Sequence, residues 1–333
     1  MTLFADSLAH KTGILPDAPH RRNIHMFSLR TLLPRIAVVL LVCAFIPSVA
    51  FAQPAGTPIR EIWKAGDMSV TAIQDLPGEM YISLFSGPAS KEEKSKYFIN
   101  DKAEAGINVF LLRAGGKIAL FDAGAGSSFQ SPGRLPEALL VLGIKPENVD
   151  FVMITHMHMD HGGGLVREGK RVFPKAKLLI SKPEFKEWTA LAKKDPSTTD
   201  GVVAASVNTF KGATAVYGAD IQPFAFGDTL LPGVTTLDAS GHTPGHTVFQ
   251  LTADGKTLLI VGDIIHSMPL QFALPDECAS FDMDKPKAVT ARKRIFSLAE
   301  KNKLQVAGAH FPFANIVGTV KKDGKTWKFE PTK

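Results

Sequence analysis

Residues Thr155 to Gly164 read THMHMDHGGG and place His156, His158, Asp160 and His161 within six positions. The run before them, Phe151, Val152, Met153 and Ile154, is short, apolar and partly β-branched, which predicts a buried strand that delivers the motif to the rim of a sheet. If the chain stays extended just past the strand end, side chains two apart point the same way, so His156 and His158 can face one metal ion. Gly162, Gly163 and Gly164 then permit a sharp turn that sets Asp160 and His161 beside that pair. Surface histidines in a polar loop would reach this spacing only by accident, whereas imidazole and carboxylate together are the donors that zinc and similar ions select.

A metal site needs further donors. The chain has ten histidines, and His10, His20 and His25 precede an apolar segment expected to be removed. His242 and His246 lie in SGHTPGH, a turn-rich stretch between strand-like runs. Asp263 follows Leu258 to Val261 through Gly262, His266 stands three residues on, and His310 follows Val306 to Ala309. A lone His or Asp in a turn is ordinarily solvated or capping. Together, just past strand ends, these residues predict a single rim that gathers them.

In these residues the chain resembles the metallo-β-lactamase superfamily. The matching elements are LFDAG at 120–124, THMHMDHGGG, SGHTPGHT, the Gly262–Asp263 step and His310, and the resemblance spans roughly residues 65 to 330. The runs GINVFLLRAGGKIALFDAGAG, VDFVMITHMHMDHGGGLV and GHTPGHTVFQL with GDIIH look like the methyl parathion hydrolase branch. The resemblance implies an α/β (α+β) fold, the αββα four-layer sandwich of two mixed sheets, with a binuclear site at one rim. His156, His158 and His242 would hold one ion, Asp160, His161 and His310 the other, and Asp263 would bridge them. An anionic bridge offsets the repulsion of two close divalent ions. A water held between them would ionise near neutral pH and serve as a bridging hydroxide nucleophile, oriented by Asp160. Asp122 is expected to tie adjacent loops through backbone N–H groups, and His246 to support the site rather than bind metal.

His266 departs from one branch. In the acyl-homoserine lactonases of the superfamily a tyrosine stands at that position and contacts substrate, which puts a strict copy of their mechanism in doubt. His266 is expected to protonate a leaving group or to line the pocket. Flavodiiron oxidoreductases carry a glutamate where this chain has His158. Zinc β-lactamases place a cysteine in the second site, whereas Cys278 lies outside the pattern. Long basic insertions of the nuclease branches are not evident.

Residues 1–52 read as an N-terminal extension and signal peptide, and residues 53–333 as one hydrolase domain. Arg30 and Arg35 precede the apolar run Ile36 to Phe45, too short to span a bilayer comfortably, and Ser48 to Ala52 ends in small residues suited to cleavage after Ala52. Met26 is a more natural start than Met1. The net charge is +6, but these residues hold five Lys or Arg against two Asp, so about +3 remains, too little to argue for nucleic acid. With Cys43 removed, Cys278 stands alone, and stability in a periplasmic or secreted setting must come from packing and metal. Polar composition rises from Lys193 to Thr199, suggesting an insertion, after a helix expected over Glu184 to Leu191. Trp188, Phe272 and Phe281 are the candidates to hold an apolar substrate.

The expectation is therefore an exported hydrolase with two divalent ions, zinc first and manganese, cobalt or iron also compatible with these donors. Its partner would be a small-molecule ester, a phosphotriester or aryl ester before a quorum-quenching type lactone, with a β-lactam after that. No nucleic acid and no stable membrane span after cleavage are expected, and a homodimer is compatible with the reading. The non-enzyme alternative is a metal-binding protein of the same fold.

Overall fold

The computed structural model describes residues 56–194 and 201–332. The expected export segment lies outside them, as does most of the expected insertion at 193–199. Two seven-stranded sheets form the centre. The first runs in the order Ile59–Ala65, Met68–Tyr81, Lys102–Ala114, Lys117–Phe121, Phe151–Met153, Lys177–Ser181, Ile221–Phe224, antiparallel as far as Lys117–Phe121 and parallel beyond it. The second runs Thr229–Leu231, Val234–Asp238, Thr247–Ala253, Lys256–Ile260, Gln305–Ala307, Val317–Asp323, Thr326–Pro331, with one parallel step between Lys256–Ile260 and Gln305–Ala307.

Alternation along the strands builds the layers. Phe110, Leu112, Phe121, Met153 and Leu179 belong to the core shared with the second sheet, and the Phe121 ring sits 5.0 Å from that of Phe249 across it. Their neighbours Val109, Leu111, Leu120, Val152, Leu178 and Ile180 face the other way, onto the helices Leu135–Val141, Lys182–Leu191 and Gly201–Tyr217. Helix Lys285–Asn302 covers the second sheet with Ile295, Phe296 and Ala299. The result is the αββα sandwich. Each fully buried Phe in it is worth about 1.5–3 kcal/mol relative to exposure.

The parallel pair Lys117–Phe121 with Phe151–Met153 and the parallel pair Lys256–Ile260 with Gln305–Ala307 open onto the same chemistry. Asp122 and the THMHMDH segment leave the ends of Lys117–Phe121 and Phe151–Met153, while Asp263 and His310 follow Lys256–Ile260 and Gln305–Ala307. The space beyond the carboxyl ends of parallel strands is where an open α/β sheet accommodates ligands.

Two aromatic expectations need correction. Phe272 is 2% exposed and stacks on Phe296 at 4.6 Å, inside the core of the second sheet. Trp188 is fully buried on the inner face of Lys182–Leu191, among the residues that cover the first sheet. Both rings are more useful filling an interior than lining a wet cavity. That helix begins at Lys182 rather than Glu184, because Ser181 caps it by accepting from the Glu184 N–H at 3.3 Å and Pro183 fits its first turn.

Candidate metal centre

The strand Phe151–Met153 stops short of the motif, so His156 and His158 lie on irregular backbone, with His158 extended (φ −61°, ψ 155°) just before the short helix Met159–Gly162. His156, His158, His242 and Asp263 nevertheless converge, as do Asp160, His161, Asp263 and His310, with the donor atoms of each group within 4.8 Å of one another. Asp263 belongs to both groups. In the first, His242 Nε2 lies 3.1 Å from His156 Nε2 and 2.9 Å from His158 Nδ1, and Asp263 Oδ2 lies 3.6 Å from His156 and 3.4 Å from His242. In the second, His161 Nε2 lies 3.5 Å from Asp160 Oδ2 and 3.1 Å from Asp263 Oδ1, while His310 Nε2 lies 3.4 Å from Asp160 Oδ2 and 3.1 Å from Asp263 Oδ2. A tetrahedral site with bonds of about 2.1 Å has edges of about 3.4 Å, so both groups have the right size.

The outer ring nitrogens decide whether these atoms suit a cation. His242 Nδ1 lies 2.8 Å from Asp282, His161 Nδ1 lies 2.8 Å from Asp122, and His310 Nδ1 lies 2.7 Å from the Gly106 carbonyl, so each donates to an acceptor. Thr155 Oγ1 donates to Asp122 (2.8 Å) and so accepts from His156 Nδ1 (3.1 Å). With their outer nitrogens engaged in this way, all four rings aim their inner nitrogens at the same space, and those of His156 and His242 come within 3.1 Å of each other. His161 Nε2 and Asp263 Oδ1 are buried without a hydrogen bond. Buried polar atoms left this way are costly, and a divalent cation in each group resolves the cost.

Electrostatics separates the groups. Burial, with His161 and the neighbouring rings adding to it, holds His156 well below the ordinary value, and burial with His242 does the same to His158. At His161 burial opposes the charge but is outweighed by Asp263, Asp160 and Asp122, so the ring is held well above its ordinary value. His310 is raised in the same way, against burial, by Asp263 and then Asp160. Asp160 and Asp263 resist burial through the adjoining histidines and stay ionised.

Supporting residues lie behind the donors. Asp122 adopts a left-handed conformation (φ 65°), which Asp tolerates, and accepts from the Thr155 N–H and hydroxyl, each at 2.8 Å, as well as from His161. It thus ties loops together and also orients a donor. Burial, with His242 beside it, pushes His246 down to about 3, and its Nε2 accepts from the Asp263 N–H at 2.9 Å. Gly262 (φ 53°) makes this approach feasible, since a Cβ there would lie 2.7 Å from that nitrogen. His266 neither lines the cavity nor reaches solvent: it is fully buried, its Nε2 is 3.1 Å from Asp263 Oδ2, and the Phe281 ring lies 4.8 Å from its own. Asp282, absent from the sequence reading, fixes His242, and Arg292 stands 3.8 Å behind it. No spacing marks Asp282 beforehand; it gains meaning only when the fold brings it against a donor 40 positions away.

A cavity of about 190 Å³ opens over the donors. Its floor is His158, Asp160, Asp263 and His310, and its apolar wall is Met80, Phe129, Met159, Val202 and Phe281. Of the three aromatic candidates, only Phe281 lies there. Met80, Phe129 and Val202 carry no signal in sequence that separates them from other apolar residues.

The model of the metallo-beta-lactamase superfamily matches residues 104–302, more than half of the chain, and the chain belongs to that family. It is 28% identical over 184 residues to the N-acyl homoserine lactonase AttM of Azorhizobium caulinodans, covering 52% of this chain and 62% of the relative. The chain thus spans under two thirds of the length of that curated relative. Among solved structures, the hydrolase AbOPH of the beta lactamase superfamily is 30% identical, with a TM-score of 0.76 over 84% of this chain and 99% of that one. AidC, a dizinc quorum-quenching lactonase solved with an N-acyl homoserine product, shares the fold at 23% identity, with a TM-score of 0.73 over 83% of this chain and 98% of its own.

Proposed function

We propose that this member of the superfamily is a two-metal hydrolase of small, neutral, apolar esters, with phosphotriesters and aryl esters ranked before lactones, as in the methyl parathion hydrolase branch. The observation that carries the reading is an apolar mouth set directly over two donor groups that share one carboxylate. Two divalent ions, zinc first, would supply a water of lowered pKa and an electrophilic pull on the ester oxygen. The chain's own contribution is positional. Asp160, on the cavity floor, is the group on hand to accept a proton from the attacking water and hold its direction. Met80, Phe129, Val202 and Phe281 exclude water and cover the apolar substituents, which strengthens every polar interaction beneath them. His266 Nε2 meets Asp263 rather than the cavity, so its role here is to steady that carboxylate.

The lactone reading has its own support in the AttM match and the AidC fold. Both readings are tested by assaying purified, zinc-, manganese- or cobalt-loaded protein in parallel on a phosphotriester, an aryl ester, aliphatic lactones and a β-lactam. Turnover of the first two above the lactones supports the ranking, lactones alone reverse it, and β-lactams alone overturn it. Export is part of the same proposal, and sequencing the amino terminus of the mature protein checks cleavage after Ala52.

A further inference from the structure

The carboxylate of Glu184 is fully buried in the first turn of the helix Lys182–Leu191 and takes four hydrogen bonds, all from neutral donors. Oε1 accepts from the Met157 N–H at 2.9 Å and from the Trp188 indole N–H at 2.6 Å. Oε2 accepts from the Thr243 hydroxyl at 2.7 Å and from the Gly245 N–H at 2.9 Å. Met157 stands between His156 and His158, and Thr243 follows His242. One side chain therefore joins the two loops that carry every imidazole of the first donor group. The same helix end grips the second loop by its backbone: Ser181 Oγ donates to the Gly245 carbonyl at 2.7 Å, and a Cβ on Gly245 would collide with the main chain of Glu184. The Trp188 ring completes the clamp, lying edge-on 5.9 Å from His158.

We propose that Glu184 is a positioning residue for the first metal: it fixes the distance between the His156–His158 segment and His242, and so sets the affinity of that ion and not of its neighbour. Asp282 turns one ring about its own axis, whereas Glu184 holds two loops at a separation, which is a distinct task. Donor atoms must be kept within about 0.5 Å of the productive geometry, and contacts behind the ligands do this. Four bonds from two loops and one helix make Glu184 the densest such contact to the first group. Glu184 touches no donor loop of the second group: His161 and His310 are held by Asp122 and the Gly106 carbonyl, and Asp122 reaches the first group only through Thr155. The assignment rests on the metal-centre reading and is independent of the substrate.

The test uses the full chain loaded with zinc, with metal per chain followed by elemental analysis as a chelator is titrated in. In Glu184→Gln an amide N–H₂ replaces an oxygen that faces N–H or O–H donors. The first ion should then bind about 10–100-fold more weakly, the scale of a lost outer contact, while the second changes little. Repeating the substitution in a His310→Ala background leaves the first group as the reporter and assigns the loss. Thr243→Val and Trp188→Phe each remove one bond and should weaken the same ion by about 2–10-fold, the worth of a single hydrogen bond. Melting of the metal-free protein separates the roles, since a purely structural Glu184 would lower it and weaken both ions alike. Equal weakening of both, or no change in either, overturns the proposal. If Glu184→Gln fails to fold, the two milder variants decide by the same criterion. A wild-type chain that retains no zinc overturns the metal-centre reading and the proposal with it, whereas two tightly held ions in both wild type and Glu184→Gln overturn the proposal alone.

Discussion

The two donor groups share Asp263 yet are built differently. The first is three imidazoles, none more than 2% exposed, braced by Asp282 and Glu184. The second includes Asp160, whose side chain is 18% exposed, and adds a carboxylate of its own to two histidines. His156 and His158, held depressed by burial, have little tendency to carry a proton that a cation would have to displace. Charged donors beside a cavity instead hold protons that a cation must displace. The second group is thus the one whose cation has to compete with bound protons.

The largest effect should come from removing what the groups have in common. Asp263→Asn is expected to empty the second group and to lower activity by more than about 100-fold, beyond the range for a supporting residue, as read by metal content and kcat/KM on one sample. Separating the groups is the next step. Asp282→Asn should weaken the first ion and Asp122→Asn the second, each by about 10–100-fold in chelator competition. Asp282→Asn weakening the second ion, or Asp122→Asn weakening the first more than the second, would break the comparison.

Acidity should separate them without mutation. In the metal-free protein His161 and His310 are raised by the neighbouring carboxylates and keep their protons to higher pH than His156 and His158, which burial depresses. Proton release on metal binding, measured by calorimetry in buffers of different ionisation heat, should come mainly from the second group, whose affinity falls about tenfold per pH unit for each proton displaced. For folding, the raised pair contributes stability that is fully present below the ordinary 6.5 and lost as pH rises through the raised values. The depressed pair contributes stability present above 6.5, lost as pH falls because the unfolded chain then takes up protons first. The smallest effect concerns the mouth. Phe129→Ala should raise KM for an aryl substrate by about 3–10-fold with kcat little changed, since it removes apolar contact and leaves both donor groups intact.

Much of the centre could be read before folding. The donors announce themselves because histidine and aspartate recur just after apolar runs, whereas the two differently packed faces of the uniformly apolar run 109–112 are told apart only by the fold. The backbone around His156 could not be read, since its strand ends three residues earlier and hydrogen bonds to Asp122 and Glu184 hold the segment instead. The braces escaped for a related reason: Glu184 resembles any helix carboxylate until Thr243 and Gly245 are brought against it. Aromatic rings were the least legible. Trp188 and Phe272 share composition and local pattern with Phe281, and only tertiary packing sends two inward and one to the cavity.

The wall of the cavity is assembled from scattered pieces. Met80 lies near the end of a long strand, Phe129 on a loop, Val202 at the start of a helix and Phe281 just before Asp282, while Met159 stands between two of the donors themselves. Met80, Phe129 and Val202 can change without touching the donors, whereas Met159 and Phe281 are tied to them by chain and by contact. Three walls of the mouth can thus be reshaped as separate modules, and preference for a substrate can be altered there while the reactivity beneath is inherited whole.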